Sequence, residues 1–146
     1  MPRSAVVGLL NDLLALEFRS FPAYLVETSL WSRPGFEHLG PTIEGIVANQ
    51  RALCARVAAL IDARGGTIET GDFPLEYTDT HDLSLDYLVG EIIACQERDV
   101  AQIEQIVGQL AADPAARDLA AEVLGAERAN VDTLRKLARS PQVAGA

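Results

Sequence analysis

Five polar residues stand in the middle of apolar runs that repeat every three or four positions: Glu17, Gln50, Gln96, Glu127 and Asn130. Side chains at such positions face the interior of a helical protein, where carboxylates and amides need hydrogen bonds, a proton or a metal ion to be tolerated. Carboxylate and amide oxygens are hard donors. They suit either bonding to one another or coordination of one divalent ion such as Fe, Mn or Mg. The candidate metal set is therefore Glu17, Gln50, Gln96, Glu127 and Asn130, with Glu97 as a substitute for its neighbour Gln96 and Glu91 on the opposite, solvent side. Glu127 and Asn130, three apart, share one helix face. Imidazole is missing from the set, because His38 and His81 both fall in connecting segments and read as solvated surface groups. Cys54 lies on an apolar stripe and reads as a small core filler; Cys95 lies on a helix flank, with no basic neighbour read at helical spacing. There is no nucleophile–base pair and no glycine-rich phosphate loop, so no catalytic or cofactor-binding residue is assigned.

Four helices must carry these residues. The first is expected over about 4–31, with Ser4 as N-cap and a stripe through Leu10, Leu13, Leu14, Glu17, Phe21, Tyr24 and Leu25. Pro22 inside it conflicts with an unbroken helix. The second is expected over about 41–64 and stops at Gly65-Gly66. The third runs over about 84–112 from Ser84 as N-cap. The fourth runs over 114–139, introduced by Asp113-Pro114, a cap followed by proline at the first helical position. The short connections join antiparallel neighbours. Between the second and third helices lie roughly 18 residues, whereas retracing a helix of about 24 residues, ~36 Å, takes only ~11 extended ones, so this segment is long enough to cross over.

Composition agrees with an all-α fold. The chain has 146 residues, 49% hydrophobic and only 5% aromatic, with few β-branched runs, enough for one core in a single domain without staples. Its formal net charge of −9, with the 12 basic residues scattered, leaves no stripe to track phosphates, so nucleic acid is excluded as a partner. Two cysteines form no metal-knuckle spacing and point to a reducing cytoplasmic compartment. Asp12, Glu17 and Arg19 interrupt the apolar start as a signal peptide would not be interrupted, and no stretch is long and apolar enough for a membrane span.

The motifs resemble those of the ferritin-like superfamily, bacterioferritin and rubrerythrin in particular. Leu13-Leu14-Ala15-Leu16-Glu17 with Tyr24 is similar to the family's first-helix ligand and inward tyrosine, and Glu127-Arg128-Ala129-Asn130 is similar to its fourth-helix motif with Asn130 where a histidine would stand. Counting back from Gly65-Gly66 places Gln50 at the family's glutamate and Leu53 at its histidine. The resemblance spans about residues 4–139. It implies a ferritin-like bundle, 1–146, of two antiparallel helix hairpins joined by a long crossover, with a di-iron site largely lost.

Three functions follow as expectations. The first is a non-catalytic binding or assembly module whose polar layer fixes helix register. The second is a single divalent metal held through Glu17 and Glu127; a di-iron oxidoreductase needs two metals and more anionic ligands than are present. The third feature is assembly, a homodimer through the first and second helices, motivated by Leu9, Leu16 and Trp31 away from the core stripe.

Overall fold

The computed structural model describes residues 3–28, 31–80 and 83–139. Its regular structure is all helical: α1 (Arg3–Phe18), α2 (Phe21–Thr28), α3 (Leu39–Ala63), a short 3-10 helix (Leu75–Thr80), α4 (Leu85–Gln109) and α5 (Pro114–Arg139). No described helix is long and apolar enough to cross a membrane.

The first expected helix is two. It breaks at Arg19–Ser20, and Ser20 caps the new start: its Oγ accepts from the Ala23 amide at 3.2 Å, and its carbonyl accepts from Tyr24 at 3.1 Å. Pro22 then lies in the first turn of α2, where an amide hydrogen has no partner to lose. The conflict is resolved by the break, and Trp31 lies beyond the helix.

The other boundaries follow local chemistry. Asp113 caps α5 through Oδ1 to the Ala116 amide, 3.2 Å, ahead of Pro114. Helix α3 closes with Gly66 N–H on the Ile61 carbonyl and Gly65 N–H on that of Asp62, both 2.9 Å. Gly65 has φ 74°, the left-handed conformation that this closure needs. At Gly66 a Cβ would meet Val7 Cγ1 at 2.5 Å, so the chain end of α3 approaches the start of α1 only because that side chain is absent. Helix α4 ends at Gln109, about three residues short of expectation.

Cross-helix contacts fix the directions. Arg64–Asp113, Arg56–Glu122 and Gln50–Glu127 pair descending with ascending numbers, so α3 and α5 are antiparallel. Arg128–Glu104 and Arg135–Glu97 make α4 and α5 antiparallel in the same way. The segment after α3 is laid along α1 and α2. Asn11 donates from Nδ2 to the Thr67 carbonyl and accepts the Glu69 amide at Oδ1; Arg19 donates from Nε to the Gly71 carbonyl; Tyr24 meets Phe73 edge to face.

The core is divided. One apolar cluster gathers Leu10, Leu13, Leu14, Leu53, Val57, Ile61, Ile103, Ile106 and Leu110 with the first half of α5. A second gathers α2, the first half of α3, the first half of α4 and Leu134. On each long element the expected polar residue falls between the two clusters. Leu9 and Leu16 are half-buried against the first cluster, which accounts for part of the apolar surplus of α1.

Candidate functional site

Between the two apolar clusters lies a buried polar layer. Glu17 of α1, Gln50 of α3, Gln96 of α4 and Glu127 of α5 are each at most 1% exposed, and Asn130 is partly buried beside them. Three amides converge on one carboxylate. Gln50 Nε2 and Gln96 Nε2 donate to Glu127 Oε2, both at 2.9 Å, and Asn130 Nδ2 donates to Oε1 at 2.5 Å. Gln50 is itself oriented by Ser20, whose hydroxyl donates to Oε1 at 2.7 Å. The residue that caps α2 thus also fixes the amide that faces Glu127.

Each hydrogen bond to a charged group contributes about 1.5–3 kcal/mol, so three are of the same size as the several kcal/mol that burying a carboxylate costs. Glu127 is therefore held at little net gain. What the arrangement supplies is register, because a one-turn slip of α3 or α4 would take one of these donors from the carboxylate, and a slip of α5 would take both cross-helix donors.

Glu17 is treated differently. Neither of its oxygens accepts a hydrogen bond from a described donor, and Gln96 Oε1 is also without one. Burial first, and then the neighbouring Glu127 charge, push the Glu17 carboxyl well above the ordinary carboxylate range. Two anionic carboxylates repel, whereas a protonated Glu17 donates to Glu127 and gives it a fourth donor. Burial and this repulsion favour the protonated form of Glu17.

Among the described residues, no three His, Cys, Asp or Glu side chains form a group that could hold a metal ion. Glu97, the substitute for Gln96, is exposed and pairs with Arg135 at 3.0 Å, outside the layer. No protein-family model, curated protein or solved structure matches the chain.

Asp99, one turn after Gln96, is a half-buried carboxylate within the electrostatic reach of Glu127 that the sequence reading missed. Burial and the Glu127 charge push its carboxyl up to about 7, against the opposing pull of Arg98. It lines a cleft of about 270 Å³ between α1, the connection and α4, together with Arg19, Tyr77, Cys95 and Arg98. The signal was present in the spacing, since Gln96-x-x-Asp99 repeats the three-residue interval of Glu127-x-x-Asn130.

The cysteines and histidines need three corrections. Cys54 is buried as expected, and burial beside Glu17 and Glu127 pushes its thiol up to about 12, so it carries no thiolate at neutral pH. Cys95 is buried rather than on an open flank, and it has a basic neighbour at helical spacing: Arg98 Nη2 donates to its Sγ at 3.1 Å. Burial outweighs that cation and raises the Cys95 thiol. His38 is not a solvated surface group, because both ring nitrogens are buried and without partners among the described residues. His81 lies outside the described residues.

Proposed function

We propose that this protein is a ferritin-like bundle, two antiparallel hairpins joined by a crossover, that acts as a non-catalytic binding or assembly module. In this reading a hydrogen-bonded polar layer stands where the family holds two metal ions. The observation that carries it is the convergence of three amide N–H donors on Glu127. Donors aimed at a carboxylate occupy the lone pairs that a metal would need, and neutral amides contribute no charge to offset that of a cation. The topology is supported by the antiparallel α3–α5 and α4–α5 pairs and by the connection bound along α1 and α2. Calorimetric titration of the purified, metal-stripped protein with Mg²⁺, Mn²⁺ and anaerobic Fe²⁺ tests it. No saturable uptake is expected, and binding of two equivalents of Fe²⁺ would overturn it.

A second reading is one divalent ion bound through Glu17 and Glu127. It is favoured by the unpartnered oxygens of Glu17 and Gln96, three hard acceptors in one layer. The same titration separates the two, since this reading requires one-to-one uptake that is lost in Glu17→Gln.

Assembly as a homodimer through α1–α2 and α3 belongs to the same proposal, supported by the exposure of Phe18 and Trp31. Light scattering at micromolar concentration is expected to give twice the chain mass, and a monomeric mass contradicts it.

A further inference from the structure

A groove of about 350 Å³ crosses the seam between the 3-10 helix and α4. Its floor is apolar, built from Phe21, Tyr77 and Leu88, all buried. Tyr87 stands on its wall with 70% of its surface exposed. Glu76 and Asp79, three apart on the 3-10 helix and so on one face of it, rise on one side; Glu91, one α-helical turn after Tyr87, rises on the other. None of these three carboxylates is in an ion pair with a described residue.

The groove continues past Cys95 and Arg98, which line both depressions, into the cleft bearing Asp72 and Asp99. Among the described residues that line the two depressions, two guanidinium groups, those of Arg19 and Arg98, stand against these carboxylates. That of Arg19 is already engaged, donating to the Gly71 carbonyl and stacked on the Phe18 and Phe73 rings.

We infer that this seam binds a short basic segment of a different protein, its lysine or arginine side chains facing Glu76, Asp79 and Glu91 and its apolar side chains covering the Tyr77–Leu88 floor. Charge decides the class of occupant. A second copy of this chain would bring another −9 against an acidic rim, and anionic lipid or nucleic acid would be repelled in the same way. A cation with an aliphatic stem satisfies both parts of the groove, the stem on the floor and the head between the carboxylates or over the Tyr87 ring. The wall from Tyr87 to Gln102 is ~22 Å long at the helical rise, the length of about seven extended residues.

The inference names a partner for the binding module proposed above and rests on that reading. The two fail separately, because the groove and the residues of the metal titration do not overlap. The probe is a fluorescent peptide of about seven residues alternating lysine with leucine, compared with a charge-matched peptide alternating lysine with glycine. Fluorescence anisotropy is expected to show the leucine peptide binding about tenfold tighter. The Glu76→Gln/Glu91→Gln double variant should weaken it about tenfold, and Tyr87→Ala about fivefold. A control pair of equal charge change outside the groove, Glu44→Gln/Asp118→Asn, should leave it unchanged. All of these residues are exposed, so folding is retained, and circular dichroism verifies it. Equal losses in groove and control variants, equal binding of the two peptides, or no binding would each overturn the inference.

Discussion

Glu17 and Glu127 are chemically the same residue at the same depth, and their surroundings differ. Glu127 receives three amide hydrogens; Glu17 receives none from a described residue. Replacing Glu127 with glutamine sets one amide against others and leaves at least one donor unsatisfied, which should cost about 2–4 kcal/mol in urea unfolding. Glu17→Gln should cost little, because an amide N–H takes over the donor role of the carboxylic acid. The two glutamates also set a pH dependence. The folded-state pKa of Glu17 is raised, so the unfolded chain releases this proton first, and the stability it confers is complete below about pH 4.3 and falls as pH rises. Asp99, raised to about 7, acts with the same sign between about pH 4 and 7. Unfolding midpoints of the native protein should therefore decline from pH 5 to pH 8 relative to those of the Glu17→Gln/Asp99→Asn variant. A parallel pair of profiles would contradict this. The stripe positions made Glu17, Gln50, Gln96 and Glu127 legible in the sequence, because periodicity reports which face a residue occupies. It does not report depth along a flank, which is why Cys95 was misplaced and why Asp99 was marked only by its three-residue interval from Gln96. His38 was misread for another reason: a residue before a helix is assigned to solvent by default, and tertiary packing alone covers its ring.

At the scale of elements, the joint between α1 and α2 depends on one hydroxyl. Ser20 caps α2 and donates to Gln50, so Ser20→Ala removes a cap worth about 1 kcal/mol and strips a buried amide oxygen of its donor, about 1–3 kcal/mol more. Chemical denaturation should show that combined loss. Pro22→Ala should change stability by less than about 1 kcal/mol, since the proline displaces no hydrogen bond in the first turn. A large loss at Pro22 with none at Ser20 would refute this account of the break. The sequence announced the conflict through Pro22, and Ser20 two residues earlier was its resolution. The cap was hard to see because the apolar stripe continues through the break. The start of α5, by contrast, was legible to the residue, since Asp113-Pro114 combines a cap with a fixed φ and nothing competes with it.

For the whole molecule, the polar layer is a boundary between two apolar clusters, and the long helices cross it with one principal polar side chain each. The all-helical class and the loop lengths were readable because they rest on local composition and turn residues. The short connections already implied antiparallel neighbours, and Arg128–Glu104 agrees for α4 and α5; the pairs Arg64–Asp113 and Arg56–Glu122, between residues far apart in the chain, add the α3–α5 direction. Three amides on Glu127, together with the raised proton affinity of Glu17, hold this layer together. Infrared spectra of the folded protein at pH 6 measure it directly through the stretch of a protonated carboxyl group. The band should be present in the native protein and weaker by one carboxyl in Glu17→Gln. Identical spectra for the two proteins, with both glutamates ionised, would contradict it.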